Sequence, residues 1–206
     1  MLYYELSPRA GAVVQLGERF TCTEEVAGSN PVSSTMNILW EKPDLSISCY
    51  ENVLPPDMFQ EVLLYSQDIS RYEFRDSYLQ NHPVTDEDFL MYESLIQHHR
   101  EAFPFLKDCE PQTSNFLRYQ DGHSMHPHND MSNNDRKFTT CLYLTSNNNN
   151  PLRFVNTNNV FEQVFNYYNE ENQLIVFHKD NGDTEHGLET IKNLEHDRIL
   201  FRVYWI

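Results

Sequence analysis

Positive charge is scarce in this chain. Lys and Arg total 15 against 31 Asp and Glu in 206 residues, a net charge of −16 with His neutral. A groove for phosphate backbones needs clustered Lys and Arg, so this balance argues against a nucleic-acid partner. Long apolar runs are missing too: no stretch approaches the roughly 18 to 20 residues of a membrane span. Met1 to Phe20 lacks an apolar segment behind a basic start, which argues against a signal peptide. The cysteines Cys22, Cys49, Cys109 and Cys141 form no CxxC pair. That removes zinc knuckles and dithiol redox motifs, and fits reduced thiols in the cytoplasm. No internal repeat is visible. What remains is 39% apolar and 13% aromatic. This is enough for a packed core in one domain, or one domain plus a tail.

Residues 1–35 read differently from the rest. The stretch from Gly11 to Thr35 has no helical or alternating apolar period. It resembles a transfer-RNA gene read as protein. Gly28-Ser29-Asn30-Pro31 can be encoded by GGT TCG AAT CCC, which contains a T-arm sequence. Thr35-Met36 can be ACC ATG, and Val13 to Arg19 fits a D-arm in the same frame. The expectation is a non-native or disordered leader at 1–35 and a single domain at 36–206. Within that domain, 36–110 would hold supporting helices and a first strand, and 111–206 a catalytic barrel. Four Glu and two Arg leave with the leader, so the domain stays acidic.

From Met36 the pattern is two helices and then strands. Pro55-Pro56-Asp57 suits a helix start, followed by Met58, Phe59, Val62, Leu63 and Tyr65 at helical spacing. Thr85-Asp86-Glu87-Asp88 resembles a capping box with Asp in place of Glu. Phe89, Tyr92, Leu95, Ile96, His99 and Phe103 would form the buried face of that second helix. His98 and His99 read as surface and face-edge residues rather than ligands. Beyond Pro111 the period becomes two. Phe116–Tyr119, Phe138–Thr145, Leu152–Phe154, Gln173–Phe177 and Arg198–Trp205 read as strands. The Asn-, Asp- and Gly-rich links, including Asn147–Asn150, Asn156–Asn159 and Asn181-Gly182-Asp183, read as turns or loops. The fold class expected is mostly β within α+β: a double-stranded β-helix, or jelly roll, with N-terminal supporting helices.

Metal-capable side chains concentrate between Tyr119 and Asp130. On an extended strand, residues i and i+2 share a face about 6.5–7 Å apart, so either His126 with His128 or His128 with Asp130 can meet one ion. A His-x-His pair of the cupin type wants a Glu shortly afterwards, and positions 131–134 are Met, Ser, Asn and Asn. His128-x-Asp130 is therefore the better pair. A third ligand must come from a distant strand, with His178, His186 and His196 as candidates. His186 leaves room for several intervening strands, whereas His178 reads as a strand-end residue and His196 as a loop residue. Two His and one carboxylate are the ligand set of non-haem Fe(II) oxygenases. A chelating co-substrate would need a cation for its far end. Arg198, at the start of the last strand, offers a bidentate fork. Alternation puts Arg198, Leu200, Arg202 and Tyr204 on one face, and Ile199, Phe201, Val203 and Trp205 on the other, under helices. Two Arg on the inner row are costly without anionic partners.

The ordered set Tyr119-x-x-Gly122, His128-x-Asp130, Arg136-x-x-Thr139 leading to Tyr143-Leu144, Leu174–Phe177, His186-x-Leu188 and Arg198 resembles a known family. It is similar to the catalytic domain of the prolyl 4-hydroxylase-like 2-oxoglutarate/Fe(II) dioxygenases, from about Asn115 to Ile206. The resemblance implies iron on His128, Asp130 and His186. It implies a salt bridge from Arg198 to the distal carboxylate of 2-oxoglutarate, with Tyr143 bonding the same group and Tyr119 lining the pocket. It also implies hydroxylation of a peptide or small-molecule substrate with O2, release of succinate and CO2, and ascorbate as an accessory. The chain departs from the family at Asn149-Asn150-Pro151, Leu188, Arg202 and Tyr204, where Gly-Gly, Val, a small hydroxylated residue and Trp are usual. These positions surround the substrate side, so prolyl specificity does not follow. Two rival readings share the scaffold. A nucleic-acid demethylase would want a basic surface, and a non-catalytic binding or sensor module would usually have lost a ligand.

Overall fold

The computed structural model describes residues 37–75, 78–130, 135–156, 159–178 and 184–206. These belong to one compact unit. The expected leader at 1–35, Cys22 and the turn Asn181-Gly182-Asp183 lie outside the described residues.

Strands come before the helices, contrary to the sequence expectation. β1 (Asn37–Lys42) and β2 (Ile47–Glu51) precede α1 (Pro56–Gln67). β3 (Glu73–Arg75) and β4 (Tyr78–Asn81) then separate α1 from α2 (Asp86–Ala102). The remainder is all strand: β5 (Pro111–Tyr119), β6 (Met125–His128), β7 (Phe138–Tyr143), β8 (Asn147–Asn156), β9 (Asn159–Asn169), β10 (Gln173–His178), β11 (Thr184–Leu188) and β12 (Arg198–Trp205). The early strands escaped notice because β1 pairs on only one side, and β3 and β4 are too short to show a period.

Two antiparallel sheets result. The larger has the order β1-β2-β10-β7-β12-β5-β4-β3, and the smaller β6-β11-β8-β9. This is the jelly-roll sandwich expected. β12 sits between β5 and β7, with Arg202 opposite Asn115 on one side and Cys141 on the other. Its alternate residues serve two cores. Ile199, Phe201, Val203 and Trp205 pack with Val62, Tyr65, Tyr92 and Leu95 of the helices. Leu200 joins Leu117, Tyr143, Leu152, Phe154 and Phe177 between the sheets. β10 divides likewise, with Leu174 and Val176 under the helices and Ile175 and Phe177 inside.

Other expectations are corrected. Phe89 is 51% exposed rather than part of the buried face of α2, while Tyr92, Leu95 and Phe103 are buried. Phe89 follows directly on the cap, where the first turn has not yet come against the sheet. His99 is completely buried, with Nδ1 on the Leu95 carbonyl at 2.6 Å. The run Asn147–Asn150 is not a loop: it opens β8. The Asn147 side chain accepts from the backbone N–H groups of Asn149 (3.2 Å) and Asn150 (3.0 Å), an Asx-type turn at the start of the strand. Cys49, Cys109 and Cys141 are free thiols. No helix among the described residues is long and apolar enough to cross a membrane.

The start of α2 is tied down by charge. Thr85 accepts from the Asp88 N–H, and the Asp88 carboxylate accepts from the Thr85 N–H (2.9 Å), the Val84 N–H (3.1 Å) and the Tyr65 hydroxyl (2.6 Å). Arg71 completes the cluster with a charge-assisted bond. Burial opposes ionisation of Asp88, yet these donors hold its carboxyl well below the usual range. The resulting stability is present above the unfolded carboxyl pKa of about 3.9 and is lost as pH falls below it. Asp88→Asn is expected to destabilise the fold by about 2–3 kcal/mol at neutral pH. Urea unfolding from pH 7 to pH 3 should show a shallower acid loss in the variant than in the wild type.

Candidate metal and co-substrate site

His128 ends β6, and Asp130 lies two residues further on. His186 lies within β11, whose register places it directly opposite His128. The strands meet closely because position 187 is glycine. A Cβ there would lie 2.7 Å from the Met125 carbonyl oxygen and 2.9 Å from the Pro127 nitrogen. Any larger residue would push β11 away from β6 and open the triad.

One ligand atom each from His128, Asp130 and His186 lies within 4.8 Å of the other two. His128 Nε2 is 3.4 Å from Asp130 Oδ1, and His186 Nε2 is 3.6 Å from Asp130 Oδ2. One divalent ion with bonds near 2.1 Å can reach all three. His128 Nδ1 is bonded to the His126 carbonyl at 2.9 Å, which leaves Nε2 free to ligate. The His186 ring stacks on Phe177, with centroids 4.5 Å apart, and its Nδ1 is buried without a protein partner. Burial pushes His186 down to a pKa of about 4, keeping it neutral. His128 feels the same burial, but its bond to Asp130 outweighs it and raises its pKa. Asp130 is only 3% exposed. Burial opposes its charge, but the His128 bond and the Arg202 charge keep it ionised. A buried carboxylate between two imidazoles is a donor set that fits a divalent cation.

Asp130 is also held from behind. The Tyr204 hydroxyl donates to its Oδ1 at 3.0 Å, and Arg136 donates to its backbone carbonyl at 2.7 Å. Arg136 in turn lies over the Tyr204 ring, 3.6 Å from its centroid. Tyr204 is the residue that sequence reasoning missed. Its signal was present: it shares the inner row with Arg198 and Arg202.

Arg198 is 1% exposed and lines the same pocket as the triad. Its Nη1 donates to the Asn150 carbonyl at 2.8 Å, and its guanidinium lies 5.1 Å from the Tyr143 ring centroid. Nε and Nη2 are sealed from solvent without a protein partner. Asn150 is itself clamped by reciprocal bonds to Lys192. The Asn150 side chain thus fixes the backbone carbonyl that accepts from this arginine. Tyr119 and Tyr143 complete the wall, and burial raises both hydroxyls far enough to keep them neutral. Two buried guanidinium nitrogens without a protein acceptor, beside two neutral tyrosines, fit a carboxylate. The alternative histidines fall outside the site: His178 ends β10 with Nε2 3.1 Å from the Ser48 hydroxyl, and His126 and His196 are exposed.

Residues 114–206 match the family model described as 2OG-Fe(II) oxygenase superfamily. Solved structures share the fold at low identity. A Pseudomonas putida prolyl-4-hydroxylase is 16% identical with a TM-score of 0.56, covering 78% of this chain and 91% of its own. A prolyl hydroxylase from Trichoplax adhaerens, in complex with a hypoxia inducible factor oxygen degradation domain peptide fragment, is 15% identical with a TM-score of 0.60, covering 79% and 84%. HygX from Streptomyces hygroscopicus, solved with nickel and 2-oxoglutarate bound, is 11% identical with a TM-score of 0.59, covering 79% and 83%. No curated protein matches the chain.

Mn(II) binding, followed by electron paramagnetic resonance, should be weakened on the order of 100-fold or more by Asp130→Ala. Tyr204→Phe should weaken it about 10-fold, since it removes only the bond that orients the carboxylate. Equal affinity in all three proteins would exclude this triad as the ion site.

Proposed function

We propose that the protein is a 2-oxoglutarate- and Fe(II)-dependent dioxygenase that hydroxylates a peptidyl or small-molecule substrate. The observation that carries this reading is the pairing of two complementary devices in one pocket. One is the His128, Asp130 and His186 triad, and the other is Arg198 with two buried, idle N–H groups. A resident ion alone does not account for a guanidinium kept dry at such cost. A dicarboxylate co-substrate does.

In this reading the three side chains hold the ferrous ion, and Arg198 takes the distal carboxylate of 2-oxoglutarate. Tyr143 bonds the same carboxylate, and Tyr119 closes the wall behind it. When bound, iron and 2-oxoglutarate supply the oxidising chemistry: one oxygen atom of O2 goes to succinate and the other to the product, with CO2 released. The chain's part is to orient and exclude. Phe177 fixes the His186 ring by stacking, and the His126 carbonyl fixes the His128 tautomer. Tyr204 fixes the Asp130 carboxylate, and Leu117, Leu188 and Leu200 keep water away. Ascorbate would act as an accessory reductant, as the family resemblance implies. The Trichoplax and Pseudomonas neighbours favour a prolyl peptide as substrate. HygX has also been solved with hygromycin B bound, which favours a small molecule.

The test is succinate formation from 2-oxoglutarate under air with added Fe(II). Arg198→Gln should raise the KM for 2-oxoglutarate roughly 100-fold, as expected for losing charge-assisted bonds of about 3 kcal/mol. Mn(II) affinity should be unchanged in the same variant. Succinate formation indifferent to both Arg198→Gln and Asp130→Ala would overturn the reading.

A further inference from the structure

Arg202 is the second guanidinium on the inner face of β12, one turn of the pleat beyond Leu200. It lines the triad pocket together with Arg198. Among the described residues it makes no ion pair, and its Nε is sealed from solvent without a hydrogen-bond partner. Its guanidinium lies 4.6 Å from the Tyr204 centroid and is attracted by the nearby Asp130 carboxylate. Its register neighbours are Asn115 and Cys141, and the buried Asn115 Oδ1 also lacks a partner. The titratable groups around it are Asp130, His128, His186, Tyr119, Tyr204, Cys141 and Arg198, of which Asp130 alone is negative.

Charge counting gives this residue a meaning. Two guanidinium groups face one carboxylate across the pocket. A divalent ion adds two positive charges, and 2-oxoglutarate brings two negative ones. The loaded site is then left with one positive charge that nothing balances. An uncompensated charge in a desolvated pocket is costly, and it becomes useful when a ligand neutralises it. Arg198 has its idle N–H groups at the Tyr119 and Tyr143 end. Arg202 lies two inner-row positions along, beside the Asp130 end.

We propose that Arg202 is a specificity residue that receives a carboxylate of the substrate, so that the substrate is an acid with its anionic group close to the carbon that is oxidised. This rests on the dioxygenase reading above. It narrows that reading: a neutral residue in the interior of a peptide leaves the charge unbalanced. A free acid, or a peptide presenting a carboxylate at that point, balances it.

The test uses equilibrium binding, with acetate as the anionic probe and acetamide as its neutral isostere. Each is titrated without O2 into protein loaded with Mn(II) and saturating 2-oxoglutarate. Acetate should saturate a single site and raise the thermal midpoint, and acetamide should do neither. Arg202→Gln should weaken acetate about 10-fold or more while changing 2-oxoglutarate affinity less than about 3-fold. Arg202→Lys should keep part of the acetate affinity. Without any ligand, Arg202→Gln should be at least as thermally stable as the wild type, because it removes an unpaired cation. Equal response to acetate and acetamide, or acetate binding indifferent to Arg202→Gln, would overturn the proposal. So would a loss of 2-oxoglutarate affinity as large as that of Arg198→Gln, which would make Arg202 a second co-substrate anchor. Failure of the wild type to bind 2-oxoglutarate at all would instead overturn the dioxygenase reading. Acetate binding to the unloaded protein, with and without Arg202, then decides the anion proposal separately.

Discussion

Strand β12 carries one row of side chains into each of two cores, and most of the molecule follows from that constraint. Its place between β5 and β7 gives each residue from Leu200 to Trp205 two register partners, so it cannot slip without exchanging the rows. The outer row is wholly apolar and is sealed by α1 and α2. That leaves the inner row free to be polar. Arg198, Arg202 and Tyr204 can point into the sandwich only because Ile199, Phe201, Val203 and Trp205 hold the strand from the other side.

The interior so formed is electrostatically arranged rather than merely packed. One buried carboxylate sits between two imidazoles, braced by a tyrosine hydroxyl and an arginine on its own carbonyl. Two guanidinium groups face it with N–H groups that no protein atom accepts. In an apolar core each of these would be a defect, since desolvated charge is costly without a partner. Together they line one pocket, with the His128, Asp130 and His186 cluster and both guanidinium groups in a single lining. The smaller sheet does the complementary task. Gly187 lets β11 approach β6, so His186 and His128 meet across a register that bulkier residues would break.

Much of this could be read along the chain. The strand at Arg198–Trp205 and the capping box at Thr85 appear where pattern and turn chemistry indicated, because both rest on local rules. The triad was legible because His128-x-Asp130 is a short-range motif and His186 has the chain length to return to it. Other features were not. The asparagine run carries a turn composition, yet it opens β8, with Asn147 paired to Asn169 of β9 and its side chain bonded to the N–H groups of Asn149 and Asn150. β1 to β4 lack a period long enough to detect, and Phe89 obeys the helical spacing but meets solvent.

Alone, the sequence determined the alternation of β12, the order of His128, Asp130 and His186 along the chain and the excess of acidic over basic residues, since each depends on residue type and spacing. Tertiary structure decided which groups go without partners. Arg202, Arg198 and Tyr204 are three polar residues on one face of a strand until the second sheet closes over them. Only then does Tyr204 find Asp130, while Arg198 keeps Nε and Nη2 without an acceptor and Arg202 keeps its Nε so. Hydrogen-bond satisfaction is a property of the closed interior, and no one-dimensional pattern carries it.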